Sequence, residues 1–230
     1  MQRTESLRVL ALLEHLDAGL LRGAQCWFGG GAAVALRCAE FRVSRDVDFL
    51  CASRDGYRAV RERVHHEGTQ GLFQRPVTVI REARADRYGI RTAVEIEGQP
   101  MKVEIVGEGR IDLVGFDDPS LPVARLCDVD LVAEKVLAND DRHADDSGLA
   151  RDTIDLVVLE HVLGTLPEAA LDKAVAAYGP SVAGTFVRSL EKLRARPLVL
   201  ARWLDLLDVS EEARTWIAAK LDALPPPSSG

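Results

Sequence analysis

The sequence lacks the features that mark membrane and exported proteins. No apolar run reaches the roughly 18 residues that a membrane-spanning helix needs. Residues 1–5 do not begin the basic and then apolar pattern of an export signal. With 230 residues, 47% of them hydrophobic and 28% charged, the composition is that of a globular chain of one large or two small domains. We therefore expect a cytoplasmic protein with no membrane partner.

Cysteine is scarce, and its spacing excludes two common uses of cysteine. No C-x-x-C motif occurs among the four cysteines, which are Cys26, Cys38, Cys51 and Cys127. This spacing favours neither a zinc site nor a redox dithiol. We expect the cysteines to be small buried side chains in a reducing compartment.

The chain also lacks an overall excess of basic residues. Its formal net charge of −7 argues against non-specific coating of nucleic acid, because such binding depends on many contacts of Lys and Arg with phosphates. Residues 54–91 are an exception, with nine arginines against five acidic side chains and a local net charge of +4. This segment suits a polyanionic ligand at one site, or it is a solvated helix face with scattered arginines.

The patterning of apolar residues changes near Leu121-Pro122. Before this point, period-2 and helical patterns alternate, and after it almost every segment is helical in pattern. Strands are predicted at residues 26–28, 46–50, 77–80, 91–97, 101–106 and 111–114. Helices are predicted at 6–21, 32–38, 55–65, 126–137, 149–163, 167–178, 181–194, 197–207 and 210–224. The fold class is therefore α+β, with residues 1–120 forming a mixed sheet flanked by helices, 121–224 an all-helical domain and 225–230 a disordered tail.

Two carboxylates lie two residues apart on the predicted strand 46–50. Because side chains alternate between the faces of a strand, Asp46 and Asp48 point to one side while Val47 and Phe49 face the core. Two adjacent carboxylates repel each other unless a cation lies between them. Hard oxygen ligands suit Mg²⁺, and nucleotidyl transfer commonly uses two such ions. The pair therefore predicts a magnesium site.

A third carboxylate is usually needed to complete a site of this kind. The predicted hairpin that follows offers Glu104, which has apolar neighbours on both sides, and Glu95 on the preceding strand is its rival. The run Gly29-Gly30-Gly31 lies between a predicted strand and a predicted helix. Such a turn lets backbone amides approach an anion, and the helix N-terminus attracts the phosphates of a nucleotide. The order of these segments favours a nucleotide-binding enzyme.

The motifs in this order resemble the nucleotidyltransferases of the AbiEii toxin type, within the DNA polymerase β-like nucleotidyltransferase superfamily. The resemblance spans residues 26–159. Its motifs are Gly29-Gly30-Gly31-Ala32-Ala33-Val34-Ala35-Leu36, Arg42-x-Ser44-x-Asp46-Val47-Asp48-Phe49, Met101-Lys102-Val103-Glu104, Asp130-Leu131-Val132-Ala133-Glu134-Lys135-Val136-Leu137-Ala138 and Arg151-Asp152-Thr153-Ile154-Asp155-Leu156. The helices after His161 carry no matching motif.

The resemblance implies a role for each motif. Asp46, Asp48 and Glu104 would bind two Mg²⁺, and Lys135 would reach the triphosphate from a helix. Asp152 and Asp155 would orient Lys135 or contact nucleotide. Their alternative role is a structural network with Arg142 or Arg151.

Arg42 and Ser44 precede the metal-binding strand, where the resemblance implies that they position the loop or a phosphate. The sequence departs from the family at one point. Ala32 and Ala33 follow the glycines, where the family often has a Ser or Thr hydroxyl. Phosphate binding would then depend more on backbone amides.

The implied activity is transfer of a nucleoside monophosphate from an NTP to an acceptor hydroxyl with release of pyrophosphate. The implied acceptor is RNA, particularly the 3′ end of tRNA, in a toxin restrained by a cognate antitoxin. A small-molecule acceptor such as an aminoglycoside is an alternative, because an acidic protein suits a cationic substrate. The other alternative is a nucleotide-binding or partner-binding module without turnover.

Overall fold

The computed structural model of the protein describes residues 4–225, which divide into two compact units. Unit 1 holds residues up to 33 and residues 44–130, and unit 2 holds residues 34–43 and those from 131 onward. The predicted domains differ from this division, because the boundary at residue 120 lies inside unit 1. The predicted disordered tail, 225–230, lies outside the described residues except for Pro225.

Hydrogen bonds explain why the short segment 34–43 belongs to unit 2. The amide of Val43 donates to the carbonyl of Leu207 over 3.0 Å, and the amide of Ser210 donates to the carbonyl of Phe41 over 2.7 Å. Phe41 is buried, with 2% of its surface exposed. These contacts connect residues more than 160 positions apart in sequence, so no local pattern could have predicted them.

Unit 1 contains a mixed seven-stranded sheet with helices. Its helices are α1 (Thr4–His15), α2 (Ala18–Gly23), the first turn of α3 (Gly30–Arg37) and α4 (Arg54–Glu67), followed by a 3₁₀ helix at Gly68–Leu72. Its strands are β1 (Cys26–Gly29), β2 (Asp46–Cys51), β3 (Thr78–Ala85), β4 (Gly89–Ile96), β5 (Gln99–Gly107), β6 (Gly115–Phe116) and β7 (Arg125–Leu126). The strand order is β3-β4-β5-β2-β1-β7-β6.

The pairing of the central strands places residues from distant parts of the chain side by side. Strand β2 is parallel to β5 and antiparallel to β1, while β3, β4 and β5 form an antiparallel meander. The inner face of β2 packs its side chains into the core, where the rings of Phe28 and Phe49 lie 5.8 Å apart. The opposite face of β2 remains partly accessible, and it carries the candidate site.

Unit 2 is built from helices. They are α5 (Asp128–Arg142), which begins in unit 1, α6 (Arg151–Leu163), α7 (Glu168–Tyr178), α8 (Ser181–Arg194), α9 (Pro197–Leu206) and α10 (Glu211–Asp222), with a short 3₁₀ helix at Asp146–Gly148. Together the mixed sheet and the helical second half confirm the predicted α+β fold class.

Among the predicted elements, one helix is divided and one strand is absent from the described residues, while Leu126, predicted to begin a helix, lies in β7, and β3 runs beyond the predicted 77–80. The predicted helix 6–21 is split into α1 and α2, because Leu16 forms a β-bridge with Phe73 and the Asp17 carboxylate caps α2 through the amide of Leu20. The predicted strand 111–114 is not found among the described strands. There the amide of Val114 donates to the Asp130 carboxylate, and the pairing with β7 begins one residue later.

The structure also brings two cysteines together that are far apart in sequence. Cys26 and Cys51 lie directly opposite each other on antiparallel β1 and β2, and both are buried free thiols. A hydrogen bond between the thiols raises the pKa of Cys26, and burial adds to this effect. The same hydrogen bond lowers the pKa of Cys51. The absence of C-x-x-C spacing therefore concealed a neighbouring pair of thiols, because the pair forms across strands.

Candidate active site

The carboxylates of β2 lie on the face of the sheet that the alternation predicts. Val47 and Phe49 are fully buried, whereas Asp46 and Asp48 are partly exposed. The apolar side chains fix the orientation of the strand, because a shift by one residue would bury both carboxylates.

The register between β2 and β5 brings a third carboxylate beside the pair. Asp48 lies directly opposite Glu104 on the neighbouring parallel strand, and adjacent strands are about 4.8 Å apart. Glu95 lies opposite Pro100, two residues before Lys102 on β5 and therefore further along the sheet. Of the two candidates for a third ligand, the structure places Glu104 beside the pair.

Two basic side chains of the sheet contact these carboxylates. Arg91 Nε lies 2.7 Å from Glu104 Oε1, and Lys102 Nζ lies 3.6 Å from Asp46 Oδ1. All four side chains are between 40% and 65% exposed. From the sequence, Arg91 was only one of the arginines of segment 54–91, and Lys102 was only a member of the motif that contains Glu104. The hairpin turn at Gly98 sets Arg91 opposite Glu104, and this register was the signal that could have identified the arginine.

The three acidic residues fit magnesium in chemistry and in backbone placement. All are oxygen donors on one face of two adjacent strands, as Mg²⁺ prefers. Across the described part of the chain, no group of three or more His, Cys, Asp and Glu side chains could hold a metal as it stands. Binding would therefore require Glu104 and Asp46 to turn away from their basic partners. Surface ion pairs of this kind are weak, typically below about 1 kcal/mol, so the rearrangement costs little.

The glycine turn lies directly against one of the carboxylates. Gly30 is the first residue of α3 and has a φ of +67°, which favours glycine. A Cβ at this position would stand 2.1 Å from Asp48 Oδ2, so no other residue fits without displacing Asp48. Gly29 is the last residue of β1, Gly31 is the second residue of α3, and Ala32 and Ala33 are buried behind them.

A second group of predicted site residues forms a buried ionic cluster within unit 2. Lys135 Nζ on α5 lies 3.0 Å from Asp152 Oδ1 and 2.8 Å from Asp155 Oδ2, both on α6. Arg42 forms two hydrogen bonds with Asp155, of 2.6 Å and 2.8 Å. Arg142 forms two with Asp152, of 2.9 Å and 2.7 Å. Each aspartate thus bridges the lysine to an arginine.

Electrostatics keeps the cluster charged. Burial by itself would lower the pKa of Lys135, but the adjacent carboxylates of Asp155 and Asp152 outweigh it, and the pKa is raised. Burial likewise opposes ionisation of Asp152, yet Lys135 and Arg142 lower its pKa below the usual value. The two carboxylates therefore favour the charged ammonium group of Lys135 and hold it at a defined place on α5.

The cluster combines the two alternative roles of the aspartates. Asp152 and Asp155 orient Lys135, and they also form a structural network that includes Arg142. Arg151 is not part of that network, since its Nε donates to the carbonyl of Gly148.

Arg42 and Ser44 were predicted together but lie in different units. Arg42 is 3% exposed and is held by Asp155, which is fully buried. These contacts assign it to the unit 2 cluster. Ser44 is half-buried and belongs to unit 1, two residues before β2.

Comparison of the sequence with known protein families identifies the family of this chain. Residues 12–227 match the family model described as the nucleotidyl transferase AbiEii toxin of a type IV toxin–antitoxin system. This chain belongs to the AbiEii family. The match spans nearly the whole described chain and includes every motif discussed above. As a member, the protein is a nucleotidyltransferase-type enzyme of a toxin–antitoxin family.

One solved structure agrees with the fold of the AbiEii chain. An antigenic nucleotidyltransferase-like protein from Paracoccidioides brasiliensis is 13% identical, with a TM-score of 0.51, over 87% of this chain and 94% of the other. JHP933 from Helicobacter pylori is 12% identical, with a TM-score of 0.34, over 96% and 100% of the two chains. At 13% identity the first likeness concerns the fold alone. No curated protein matches.

The absence of a membrane-spanning segment was expected from the sequence, and the length and hydropathy of the helices in the structure test that expectation. Within residues 4–225, no helix is both long and apolar enough to cross a bilayer.

Proposed function

We propose that this AbiEii-family protein is a magnesium-dependent enzyme that transfers a nucleoside monophosphate from an NTP to a hydroxyl of RNA, with the 3′ end of tRNA as the expected acceptor. One observation carries the proposal: Asp48 and Glu104 lie opposite each other on parallel strands while Gly30 packs against Asp48. The carboxylates that would hold cations and the glycine turn that would face phosphates thus lie side by side in the first half of β2 and the end of β1.

In such a reaction, the residues of unit 1 would bind the metal ions and the phosphates of the nucleotide. Asp46, Asp48 and Glu104 would hold two Mg²⁺, which when bound lower the pKa of an attacking hydroxyl and neutralise charge on the phosphates. The turn at Gly29-Gly30-Gly31 offers backbone amides at the start of α3 to the nucleotide. The acceptor oxygen bonds to the α-phosphorus, the bond to the β-phosphate oxygen breaks, pyrophosphate leaves, and the hydroxyl proton passes to water.

The residues of unit 2 support a different part of the proposal. The family motif implies that Lys135 contacts the triphosphate, and its ion pairs keep it protonated for that role. Arg42, Asp152 and Asp155 act through Lys135 as positioning residues. Their contacts agree with this indirect role, because all three are buried, Asp152 and Asp155 contact Lys135 directly, and Arg42 contacts Asp155.

A labelling experiment tests the proposal directly. Purified protein is incubated with Mg²⁺, each of the four α-³²P-labelled NTPs in turn and total cellular RNA, and labelled RNA is resolved on a gel. We expect one or more NTPs to label tRNA, and Asp48→Asn to abolish the labelling. Absence of labelled RNA with all four NTPs would refute the RNA-transfer proposal. Adding aminoglycosides to the same assay tests the small-molecule acceptor.

A second candidate is a nucleotide-binding module without turnover. It is favoured by the contacts of Arg91 with Glu104 and of Lys102 with Asp46, which occupy two of the three carboxylates. The buried Ala32 and Ala33, which provide no hydroxyl, point the same way. Calorimetry that detects NTP binding with Mg²⁺ or Mn²⁺, together with no transfer to any acceptor, would support this candidate. The family also predicts a cognate antitoxin, and co-expression of the neighbouring gene, scored by relief of growth arrest, tests for it.

A further inference from the structure

One row of side chains crosses four strands of the sheet and ends at the carboxylates. Arg84 on β3 lies opposite Arg91 on β4, Arg91 lies opposite Glu104 on β5, and Glu104 lies opposite Asp48 on β2. Residues that are directly opposite on neighbouring strands project from the same face. The row therefore places two arginines next to the predicted metal ligands.

The two arginines are an unfavourable pair by themselves. Their backbones belong to directly paired antiparallel positions, roughly 4.5–5.5 Å apart, where like charges destabilise a sheet. Glu104 is the acidic group that contacts Arg91, at 2.7 Å. Asp86, in the turn between the two strands, accepts hydrogen bonds from the amides of Tyr88 and Gly89. One carboxylate therefore serves two roles, as partner of Arg91 and as predicted metal ligand.

We infer that Arg84 and Arg91 bind a phosphodiester group of the RNA acceptor, and that Arg91 exchanges Glu104 for this phosphate when a divalent cation binds at the carboxylates. The inference rests on the proposed function for the presence of that cation. Arg84 is exposed and Arg91 is 44% exposed, so both guanidinium groups can reach a ligand. Guanidinium groups suit this ligand because their planar donors match two phosphate oxygens.

Charge determines the direction of the exchange. A divalent cation attracts Glu104 more strongly than a half-exposed arginine does, so its binding releases Arg91. The released Arg91 then faces Arg84 without its contact with Glu104. Asp86 in the turn still attracts both arginines, and an anion between them relieves the remaining repulsion. Metal and RNA therefore favour each other's binding, and this coupling is reciprocal. Mg²⁺ ordinarily weakens protein–RNA contacts by competing for phosphates, so a gain in affinity is diagnostic.

Fluorescence anisotropy of a labelled single-stranded RNA oligonucleotide tests the inference on the full-length protein without NTP. Affinity is measured with and without Mg²⁺ at constant ionic strength. We expect Mg²⁺ to tighten binding several-fold in the wild type, and Arg91→Gln to remove that gain. Arg84→Gln should weaken binding with and without Mg²⁺ and reduce the dependence of log affinity on log salt by about 0.7.

A matched control separates local contact from overall charge. Arg58→Gln on α4 removes the same charge from an exposed arginine that also pairs with acidic neighbours, Asp55 and Glu62. We expect it to leave RNA affinity and its Mg²⁺ dependence near the wild-type values. The inference is overturned if Mg²⁺ weakens binding equally in wild type and Arg91→Gln, or if Arg84→Gln behaves like Arg58→Gln.

The labelling assay keeps this inference distinct from the proposed function. Labelled tRNA without any gain of affinity from Mg²⁺ would refute the exchange and leave the transferase proposal intact. A gain that depends on Arg91, with no transfer to any RNA, would refute the transferase proposal and retain the phosphate site.

Discussion

Gly30 lies so close to Asp48 that the glycine backbone packs directly against the carboxylate. A Cβ at Gly30 would stand 2.1 Å from Asp48 Oδ2 and 2.8 Å from its Cγ. Because α3 begins at Gly30 and β2 carries Asp48, this contact connects the start of the helix to the candidate metal site. The glycine is therefore required by the carboxylate as well as by the turn.

Replacing Gly30 with alanine should damage the protein beyond the cost of backbone strain. The left-handed conformation costs a non-glycine residue about 1–2 kcal/mol, and the contact with Asp48 adds to it. Gly98→Ala is the matched control, because Gly98 has a φ of +72° and nothing within 4 Å of an added Cβ. We expect Gly30→Ala to lose more stability in urea unfolding than Gly98→Ala, and to lose RNA labelling. Equal losses of stability would show that the contact does not matter.

Replacing Glu104 should slow nucleotidyl transfer much more than replacing Glu95. Glu104 lies opposite Asp48, whereas Glu95 lies opposite Pro100. Losing a metal ligand removes several kcal/mol of charge stabilisation, so Glu104→Gln should lower the labelling rate by about 100-fold or more. Glu95→Gln should leave the rate within a few-fold of wild type. The reverse ranking would assign the third ligand to Glu95.

The buried ionic cluster of unit 2 should contribute strongly to stability. Asp155→Asn leaves Lys135 and Arg42 charged and underpaired in a site that is almost fully buried. We expect a loss of about 3–5 kcal/mol in the free energy of unfolding, measured with urea. Asp205→Asn is the control, because Asp205 is 71% exposed in its pair with Arg214 and should lose no more than about 1 kcal/mol.

The same cluster permits a test that separates stability from activity. Combining Lys135→Met with Asp155→Leu and Arg42→Met replaces three of the charged groups with apolar ones, which often restores stability, and leaves Asp152 paired with Arg142. We expect the triple variant to be more stable than Asp155→Asn but to remain inactive in RNA labelling, because the ammonium is missing. Activity in a stable triple variant would exclude a role for Lys135 in the reaction.

Asp118 should make the stability of unit 1 depend on pH in acid. Hydrogen bonds from Ser120 and from Arg125 lower the pKa of Asp118 to about 2. Because the folded pKa is depressed, this stabilisation is present above the unfolded value near 4 and is lost as pH falls towards 2. Asp118→Asn should therefore lower thermal stability at pH 7 and flatten its decline between pH 4 and pH 2.

An exposed aspartate provides the control for the pH experiment. Asp55 is 84% exposed in its pair with Arg58, so Asp55→Asn should leave the pH profile of the melting temperature close to that of wild type. A wild-type slope retained in Asp118→Asn would show that other carboxylates cause the acid instability.

Much of the fold was predictable because the sequence patterns that indicate its strands and helices each lie within a short segment. The alternation around Asp46 and Asp48 predicted which face they occupy, and the glycine run predicted a strand, a turn and a helix. The helices of unit 2 follow from apolar periodicity over 10–15 residues. The split between α1 and α2 was not predictable in this way, because it depends on the bridge from Leu16 to Phe73.

The roles of individual residues divide in the same way. By itself the sequence determined the residue types of the site, the orientation of β2 and the family motifs, since each depends on neighbours within a few positions. Tertiary structure alone decided that Glu104 rather than Glu95 lies beside Asp48 and that Cys26 lies opposite Cys51. The physical reason is register: the hydrogen bonds that align two strands join residues distant in sequence, and no local pattern specifies their alignment.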